Sequence, residues 1–355
     1  MRGERLLGRG TQFAAVRRAL ADVADRVGTS LLLRGDPGMG KTALLRAAEA
    51  EARGAGLRIL RMTGAEAESG LPFAALHQVL WPLLDEAGAL PVEQLSERRR
   101  HALERALGIR EGAPPEEFTV GAAALTLLAH AAARGPIAVL LDDLQWADPS
   151  SVAVFGCVQR RLSALPVVAI GTTRCMSGLG PLALPDGSEA PAGQVLELRP
   201  LDDRDAGRLL DTVRPALPEE VRRRVLRAAG GNPLALRELP ARLRRADGAG
   251  IPADGDASPR LVGEPPVGDL PTGEVSVGER LGRLYEDRLR GLPDGTRRLL
   301  LVATLGGTFA QREAVLREMA DGGGGASWQR GREHIERAGL ARIEPDSGRL
   351  VFRHP

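Results

Sequence analysis

A glycine-rich octapeptide near the start of the chain contains its only lysine. Residues 35–42 read Gly-Asp-Pro-Gly-Met-Gly-Lys-Thr, and every other member of the 48 Lys and Arg residues is arginine. The octapeptide fits the P-loop pattern Gly-x-x-x-x-Gly-Lys-Ser/Thr, whose amides and ammonium contact phosphates. Because a planar guanidinium is bulkier and would collide with the phosphates or the loop, keeping Lys41 in so arginine-rich a chain indicates a working phosphate site.

The segments on either side of the octapeptide give it the expected context. Residues 30–34 are an apolar run of strand type, and residues 42–48 have helical character. Strand, glycine loop and helix are the setting in which loop amides and a helix N-terminus face phosphates, with Thr42 offering its hydroxyl to Mg²⁺. We therefore predict that the nucleotide phosphates contact Gly35, Asp36, Pro37, Gly38, Met39, Gly40, Lys41, Thr42 and Ala43.

Further strand and helix patterns predict the fold class. Apolar runs of strand type recur at residues 57–62, 137–141, 167–172 and 195–198, the last as an edge strand, and helical patterns lie between them. Strands that alternate with helices predict an α/β fold, a P-loop NTPase with a parallel five-stranded sheet between helices. A helix over residues 12–27 is expected before the first strand.

The pattern divides the chain into four parts. We expect a P-loop domain over residues 1–200, a helical block over 201–245, a flexible linker rich in Gly, Pro and Asp over 246–276, and a last block over 277–355. The last block is predicted to contain helices near residues 278–291, 294–304 and 328–338. Its end, residues 341–344 and 350–353, is typical of a β-hairpin.

Two acids follow the strand predicted at residues 137–141. A buried strand that ends in Asp142-Asp143 places carboxylates at the carboxyl edge of the sheet, where α/β sheets bind ligands. Asp142 would hold Mg²⁺, directly or through water, and Asp143 would orient or polarise an attacking water. The alternative is an ordinary acidic turn after a strand, which the P-loop upstream disfavours.

Two more segments have both a functional and an ordinary interpretation. Arg174 follows the strand at residues 167–172 and would reach a γ-phosphate from the same edge, or it is a solvated arginine at a strand end. The turn Gly231-Asn232-Pro233 would place a rigid ring against a nucleotide base, or it simply breaks a helix. For the turn at residues 231–233, the residues alone support the two interpretations equally.

Composition excludes several classes of function. A net charge of +2 gives no support for a strong nucleic-acid footprint. Cys157 and Cys175 are far apart and are predicted to be reduced, buried thiols, and the five histidines lack metal-ligand spacing. The N-terminus has no apolar signal core and no run approaches membrane-spanning length, so we expect a cytoplasmic protein without membrane contact.

Several motifs in a fixed order resemble the large ATP-binding regulators of the LuxR family, in the signal-transducing branch of AAA+-like P-loop ATPases. The motifs are Leu7-Gly8-Arg9, the P-loop, residues 68–76, residues 141–148, Thr172-Thr173-Arg174 and residues 231–236. Residues 351–355 are similar to a segment of the winged-helix module in that family. The resemblance thus implies that the helical block is a lid and that residues 277–355 form a partial winged-helix domain.

The resemblance also implies a nucleotide switch that uses ATP, ADP and Mg²⁺. In that family ADP holds a closed, inactive form, and ATP with an inducer favours an open form that self-associates. The residues that correspond to adenine contacts are Gly8, Arg9 and Pro233. Lys41, Asp143 and Arg174 correspond to the catalytic residues, while Thr42 and Asp142 correspond to the metal ligands.

The sequence departs from the family in ways that shape the expectation. Gln12 stands where relatives often have an acid, and Asp143 stands where fast hydrolases use glutamate, which predicts slow hydrolysis. The family continues into a helical-repeat sensor and a helix-turn-helix; the sequence stops at Pro355, so we expect no DNA binding from it. The inducer is unknown. Alternatives are a P-loop kinase or motor ATPase, and an origin-recognition-like DNA-binding ATPase.

Overall fold

A computed structural model describes residues 6–84, 95–182 and 193–247, with three short stretches at 292–293, 341–343 and 350–352. The chain divides into two compact units, Met1–Thr272 and Gly273–Pro355. The first unit contains the predicted P-loop domain and the helical block. The division between these two parts at residue 200 stays a prediction, as does the winged-helix interpretation of the second unit.

A five-stranded parallel sheet forms the centre of the first unit, as the sequence predicts. The strands pair side by side in the order β2-β3-β4-β1-β5. This order makes β4 the neighbour of both β1 and β3, so the carboxyl ends of these three strands lie next to one another. The strand bounds are β1 Thr29–Arg34, β2 Arg58–Thr63, β3 Ile137–Asp142, β4 Val167–Thr173 and β5 Gln194–Glu197.

Helices cover both faces of the sheet, and its central strands are therefore buried on both sides. On β1, Leu31 and Leu33 pack into one core while Leu32 packs into the other, the alternation that a strand imposes. The first core includes α1 (Gly10–Ala24) and α2 (Lys41–Gly54). The second includes α3 (Ala74–Leu80), α4 (Glu97–Ala106), α5 (Glu117–Ala132) and α6 (Pro149–Gln159).

The first helix differs from its predicted bounds. It begins at Gly10 and ends at Ala24, although apolar periodicity continues in the sequence to Val27. Arg26 adopts the left-handed conformation with φ 68°, which a helix cannot continue through, and Val27 is exposed. The buried face is formed by Val16, Ala19, Leu20 and Val23, which keep helical spacing.

The helical block predicted after the sheet is confirmed. It consists of α7 (Asp203–Val213), α8 (Glu219–Ala229) and α9 (Pro233–Asp247). Gly230 and Gly231, both with positive φ, turn the chain from α8 into α9. A Cβ at Gly231 would lie 2.3 Å from the Leu201 carbonyl oxygen, so this turn requires glycine where it packs against the end of the sheet domain.

Two of the described stretches in the second unit, residues 341–343 and 350–352, form an antiparallel strand pair. β6 (Ala341–Ile343) pairs with β7 (Leu350–Phe352), and Ala341 lies opposite Phe352. The pairing that the sequence predicts for these residues is thereby confirmed. The predicted linker beyond Asp247 and the helices predicted at residues 278–291, 294–304 and 328–338 lie outside the described residues.

Candidate phosphate and metal site

The P-loop connects β1 to α2 at the carboxyl edge of the sheet. Two of its glycines have positive φ, 81° at Gly38 and 88° at Gly40, which residues with a side chain rarely adopt. A Cβ at Gly38 would also lie 2.5 Å from the Asn232 side-chain oxygen. Gly38 and Gly40 are therefore explained by backbone conformation and, at Gly38, by close contact with the turn before α9; at Gly35 a Cβ would lie 2.7 Å from the Leu198 carbonyl oxygen.

Lys41 is buried at the first position of α2, with 7% of its surface exposed. Its Nζ donates to the carbonyl oxygens of Gly35 at 2.6 Å and Asp36 at 3.0 Å. An ammonium has three donors, so one stays available to a phosphate without breaking either bond. Burial lowers the pKa of Lys41, whereas the charge of Asp143 opposes this shift and that of Arg174 adds to it.

The two predicted metal ligands contact each other directly. Asp142, at the end of β3, accepts a 3.3 Å hydrogen bond from the Thr42 hydroxyl and a 2.6 Å bond from the Thr172 hydroxyl. Burial raises the pKa of Asp142, and the hydrogen bond from Thr172 opposes this rise. A carboxylate beside a hydroxyl, with other positions left for water and phosphate oxygens, fits the oxygen coordination that Mg²⁺ prefers.

Asp143 lies at the same edge in a conformation unusual for a residue with a side chain. Its φ is 52°, in the left-handed region, which costs conformational energy. Its backbone N–H donates to the Thr172 hydroxyl at 2.8 Å, and its Oδ1 accepts from the Gln145 side-chain amide at 2.7 Å. The carboxylate is thus held in place after the strand, as an acid that orients water requires.

Arg174 lies at the adjacent strand end and completes the set of charges around Lys41. Its backbone N–H donates to the Gln145 side-chain oxygen at 3.1 Å, and its guanidinium carbon lies 6.0 Å from the centre of the Trp146 ring. The charges of both Asp143 and Arg174 affect the pKa of Lys41, the first raising it and the second lowering it. The role of Arg174 towards a γ-phosphate stays a prediction.

Arg9 connects the start of the chain to the P-loop. It is 5% exposed, and its Nη2 donates to the Met39 carbonyl oxygen at 2.9 Å. Burial lowers the pKa of this guanidinium. A cavity of about 460 Å³ beside Arg9 has room for a base; its lining is Gly8, Arg9, Gln12, Glu197, Arg199, Pro200, Leu201, Asp202 and Asp205. Base contacts by Gly8 and Arg9 stay predictions.

Asn232 is a site residue that sequence reasoning missed. It is 1% exposed, and its Nδ2 donates to the Pro37 carbonyl oxygen at 2.9 Å. Its Oδ1 accepts from the N–H groups of Leu234 and Ala235 and so caps α9, while Leu234 N–H also donates to the Gly38 carbonyl oxygen. Pro233 begins α9, and its predicted base contact is untested. The turn therefore ties the helical block to the P-loop.

Asp148 joins the segment at residues 68–76 to the loop that follows β3. Asp148 is 1% exposed. Its carboxylate accepts hydrogen bonds from the backbone N–H groups of Phe73, Ala75 and Ser151 at 2.8, 3.1 and 2.9 Å. It is therefore the N-cap of α6 and also fixes the start of α3. The two motifs are distant in sequence, which is why their pairing could not be predicted from local pattern.

The prediction about the cysteines is half wrong. Cys157 in α6 is buried, but Cys175 is exposed because it lies after β4, beyond the covered part of the sheet. Both are free thiols, as predicted. In the described part of the chain no helix is long and apolar enough to cross a membrane.

A family model matches the N-terminal part of the chain. Residues 5–170 match the family model described as the AAA ATPase domain, which supports a P-loop ATPase domain of the AAA+ kind there. No curated protein matches the chain.

Solved structures that resemble the chain are distant in sequence. A signal transduction ATPase with numerous domains (STAND) from Pyrococcus horikoshii, which has a tetratricopeptide repeat sensor, shares 15% identity with a TM-score of 0.47 over 95% of this chain; the chain spans 40% of its length. The ORC1 protein of Aeropyrum pernix, solved with DNA, shares 16% with a TM-score of 0.45, covering 99% and 90% of the two chains. The RuvB T158V protein of Thermotoga maritima shares 15% with a TM-score of 0.40, covering 98% and 93%.

We expect Asn232→Ala to lower both stability and nucleotide affinity. The change removes the cap of α9, worth about 1 kcal/mol, and the hydrogen bond to the P-loop. Asn232→Ser is the matched variant, because a short hydroxyl keeps the cap but does not reach Pro37. Thermal unfolding should show Ser recovering most of the stability, while titration with ADP should show both variants weakened. Full affinity in Asn232→Ser would mean that the P-loop does not depend on this contact.

Proposed function

We propose that the chain is an ATP-binding regulatory switch with slow ATP hydrolysis, similar to the ATPase module of LuxR-type transcriptional regulators. The observation that carries the proposal is the attachment of the helical block to the P-loop, where Asn232 donates to the Pro37 carbonyl oxygen. In this proposal the P-loop binds the phosphates and the helical lid holds the same loop. The position of the lid therefore depends on the nucleotide. The match of residues 5–170 to the AAA ATPase domain supports the ATPase part.

Phosphate binding is assigned to the P-loop and metal binding to the adjacent edge. In this proposal the loop amides and Lys41 hold the β- and γ-phosphates, and Thr42 with Asp142 holds the ion. Bound Mg²⁺ would neutralise charge that develops on the phosphate oxygens during transfer. The hydrogen bond between Thr42 and Asp142 supports this assignment, since it brings the two oxygens within 3.3 Å of each other.

Slow hydrolysis follows from the acid at position 143. The aspartate is one methylene shorter than glutamate, so its carboxylate reaches less far towards an attacking water. The shorter reach favours a bound state that lasts, which a switch needs and a motor does not.

The switch itself would work through the lid. In the resembling family, ADP holds the closed form, and ATP with an inducer favours an open form that self-associates; we extend that cycle to this chain. A difference of about 1.4 kcal/mol in affinity between the two forms is enough to change their ratio tenfold. In this proposal Arg174, which follows the strand next to β1, would distinguish ATP from ADP by contact with the γ-phosphate of ATP.

We expect steady-state phosphate release of roughly one turnover per minute or less, against about 1–100 per second for kinases. A coupled phosphate assay with Mg²⁺ and saturating ATP measures this rate, and Lys41→Ala provides the background. Rapid turnover by the isolated chain would contradict the switch and favour a motor or transferase. Size-exclusion chromatography in ATP and in ADP then tests whether ATP promotes self-association.

A further inference from the structure

The backbone pairing between β3 and β4 ends just before the candidate site. Their parallel register ends at the pair Leu141 and Gly171. Beyond that pair, side-chain hydrogen bonds connect the two strand ends. The Thr172 hydroxyl bonds Asp142 and the Asp143 amide, and Gln145 supplies the remaining connection.

Gln145 is bonded at both ends of its amide to residues of the site. Its Nε2 donates to Asp143 Oδ1 at 2.7 Å, and its Oε1 accepts the Arg174 N–H at 3.1 Å. The residue lies in the 3₁₀ turn Leu144–Trp146, whose Trp146 N–H donates to the Asp143 carbonyl oxygen. The Gln145 side chain therefore joins Asp143, the proposed water-orienting acid, to Arg174, the proposed γ-phosphate sensor.

The other contact of this turn with Arg174 strengthens the connection. The Trp146 ring lies beneath the Arg174 guanidinium, 6.0 Å from ring centre to guanidinium carbon. Neighbouring residues of a single turn thus contact both the backbone and the side chain of Arg174. A displacement of the Arg174 backbone would therefore be transmitted through Gln145 to the Asp143 carboxylate.

We infer that Gln145 is a positioning residue for hydrolysis, which sets the orientation of the Asp143 carboxylate according to the position of Arg174. The inference rests on the proposed function. The amide occupies Oδ1, so Oδ2 is the oxygen that faces the attacking water. Gln145 touches neither nucleotide nor water in this role; it acts through Asp143.

The test uses Gln145→Met in the full chain, which keeps side-chain length and removes both hydrogen bonds without adding charge. Gln78→Met is the matched control. Gln78 is also partly buried and also bonded at both ends of its amide, to Thr63 at the end of β2 and to Glu68. Single-turnover hydrolysis with labelled ATP gives the rate constant, and titration with ADP gives the affinity.

Gln145→Met is expected to lower the hydrolysis rate constant about 10- to 100-fold, the scale of a misplaced catalytic group, with ADP affinity within about threefold of wild type. Gln78→Met should change neither quantity. In an Asp143→Asn background, Gln145→Met should cause no further loss, because the carboxylate it positions is gone. A merely structural role would lower the rate in both backgrounds.

Other outcomes overturn the inference. An unchanged rate in Gln145→Met, or a rate that rises, would show that the amide does not set a productive orientation. A loss of ADP affinity equal to the loss of rate would assign Gln145 to binding. If the wild-type chain binds nucleotide but does not hydrolyse it, the positioning role of Gln145 is wrong, whereas nucleotide binding is confirmed. If the wild-type chain binds no nucleotide, the proposed function itself is wrong.

Discussion

Asp148→Ala is expected to lower the free energy of unfolding by about 3–5 kcal/mol. The buried carboxylate accepts three backbone N–H groups, from Phe73, Ala75 and Ser151. Alanine leaves all three donors without this partner in a site that is 1% exposed, and each unsatisfied donor costs about 1–3 kcal/mol. The same change removes the N-cap of α6.

Denaturant unfolding followed by far-ultraviolet circular dichroism measures this loss. Asp202→Ala is the matched control, since Asp202 caps α7 through one N–H group, that of Asp205, and is exposed. That variant should lose only about 1 kcal/mol. Equal losses in the two variants would contradict the structural role assigned to Asp148, namely that it joins the segment at residues 68–76 to the loop after β3.

Lys41→Ala is expected to weaken ADP and ATP binding by about 2–4 kcal/mol, roughly 30- to 700-fold in Kd. In the proposed site the ammonium is the positive charge that contacts the phosphates, and in the described structure it donates to the loop's own carbonyl oxygens. Its removal also leaves those oxygens without this donor. Competition against a fluorescent ADP derivative gives both dissociation constants.

Lys41→Arg separates charge from shape. The guanidinium keeps the positive charge, but the lysine is 7% exposed and its surroundings leave little room for a larger planar group. We therefore expect Arg to restore little of the affinity. Wild-type binding by Lys41→Arg would refute the argument that an arginine-rich chain keeps one lysine because arginine cannot replace it here.

Local patterns were enough to predict the sheet and the position of several candidate residues at its carboxyl edge. The P-loop lies between a strand and a helix, and Asp142 and Arg174 each follow a buried strand, so a parallel sheet brings them to one edge. These predictions depend only on the period of apolar residues and on where strands end. The direct contact of Thr42 with Asp142 agrees with the predicted metal site.

Residues whose role depends on distant partners could not be predicted. Asn232 bonds Pro37, 195 positions away, and Asp148 bonds Phe73, 75 positions away. Nothing in the local sequence of either residue names its partner. Gln145 was part of a recognised motif, but its two hydrogen bonds appear only when the ends of β3 and β4 are placed side by side.

Calorimetric titration of the wild-type chain with ADP and with ATP, each with and without Mg²⁺, tests the central claim most directly. We expect one saturable nucleotide site per chain, and weaker ATP binding when Mg²⁺ is removed, because Thr42 and Asp142 then have no ion to hold. If neither nucleotide binds at millimolar concentration, the P-loop and the carboxyl edge of the sheet beside it do not form a nucleotide site.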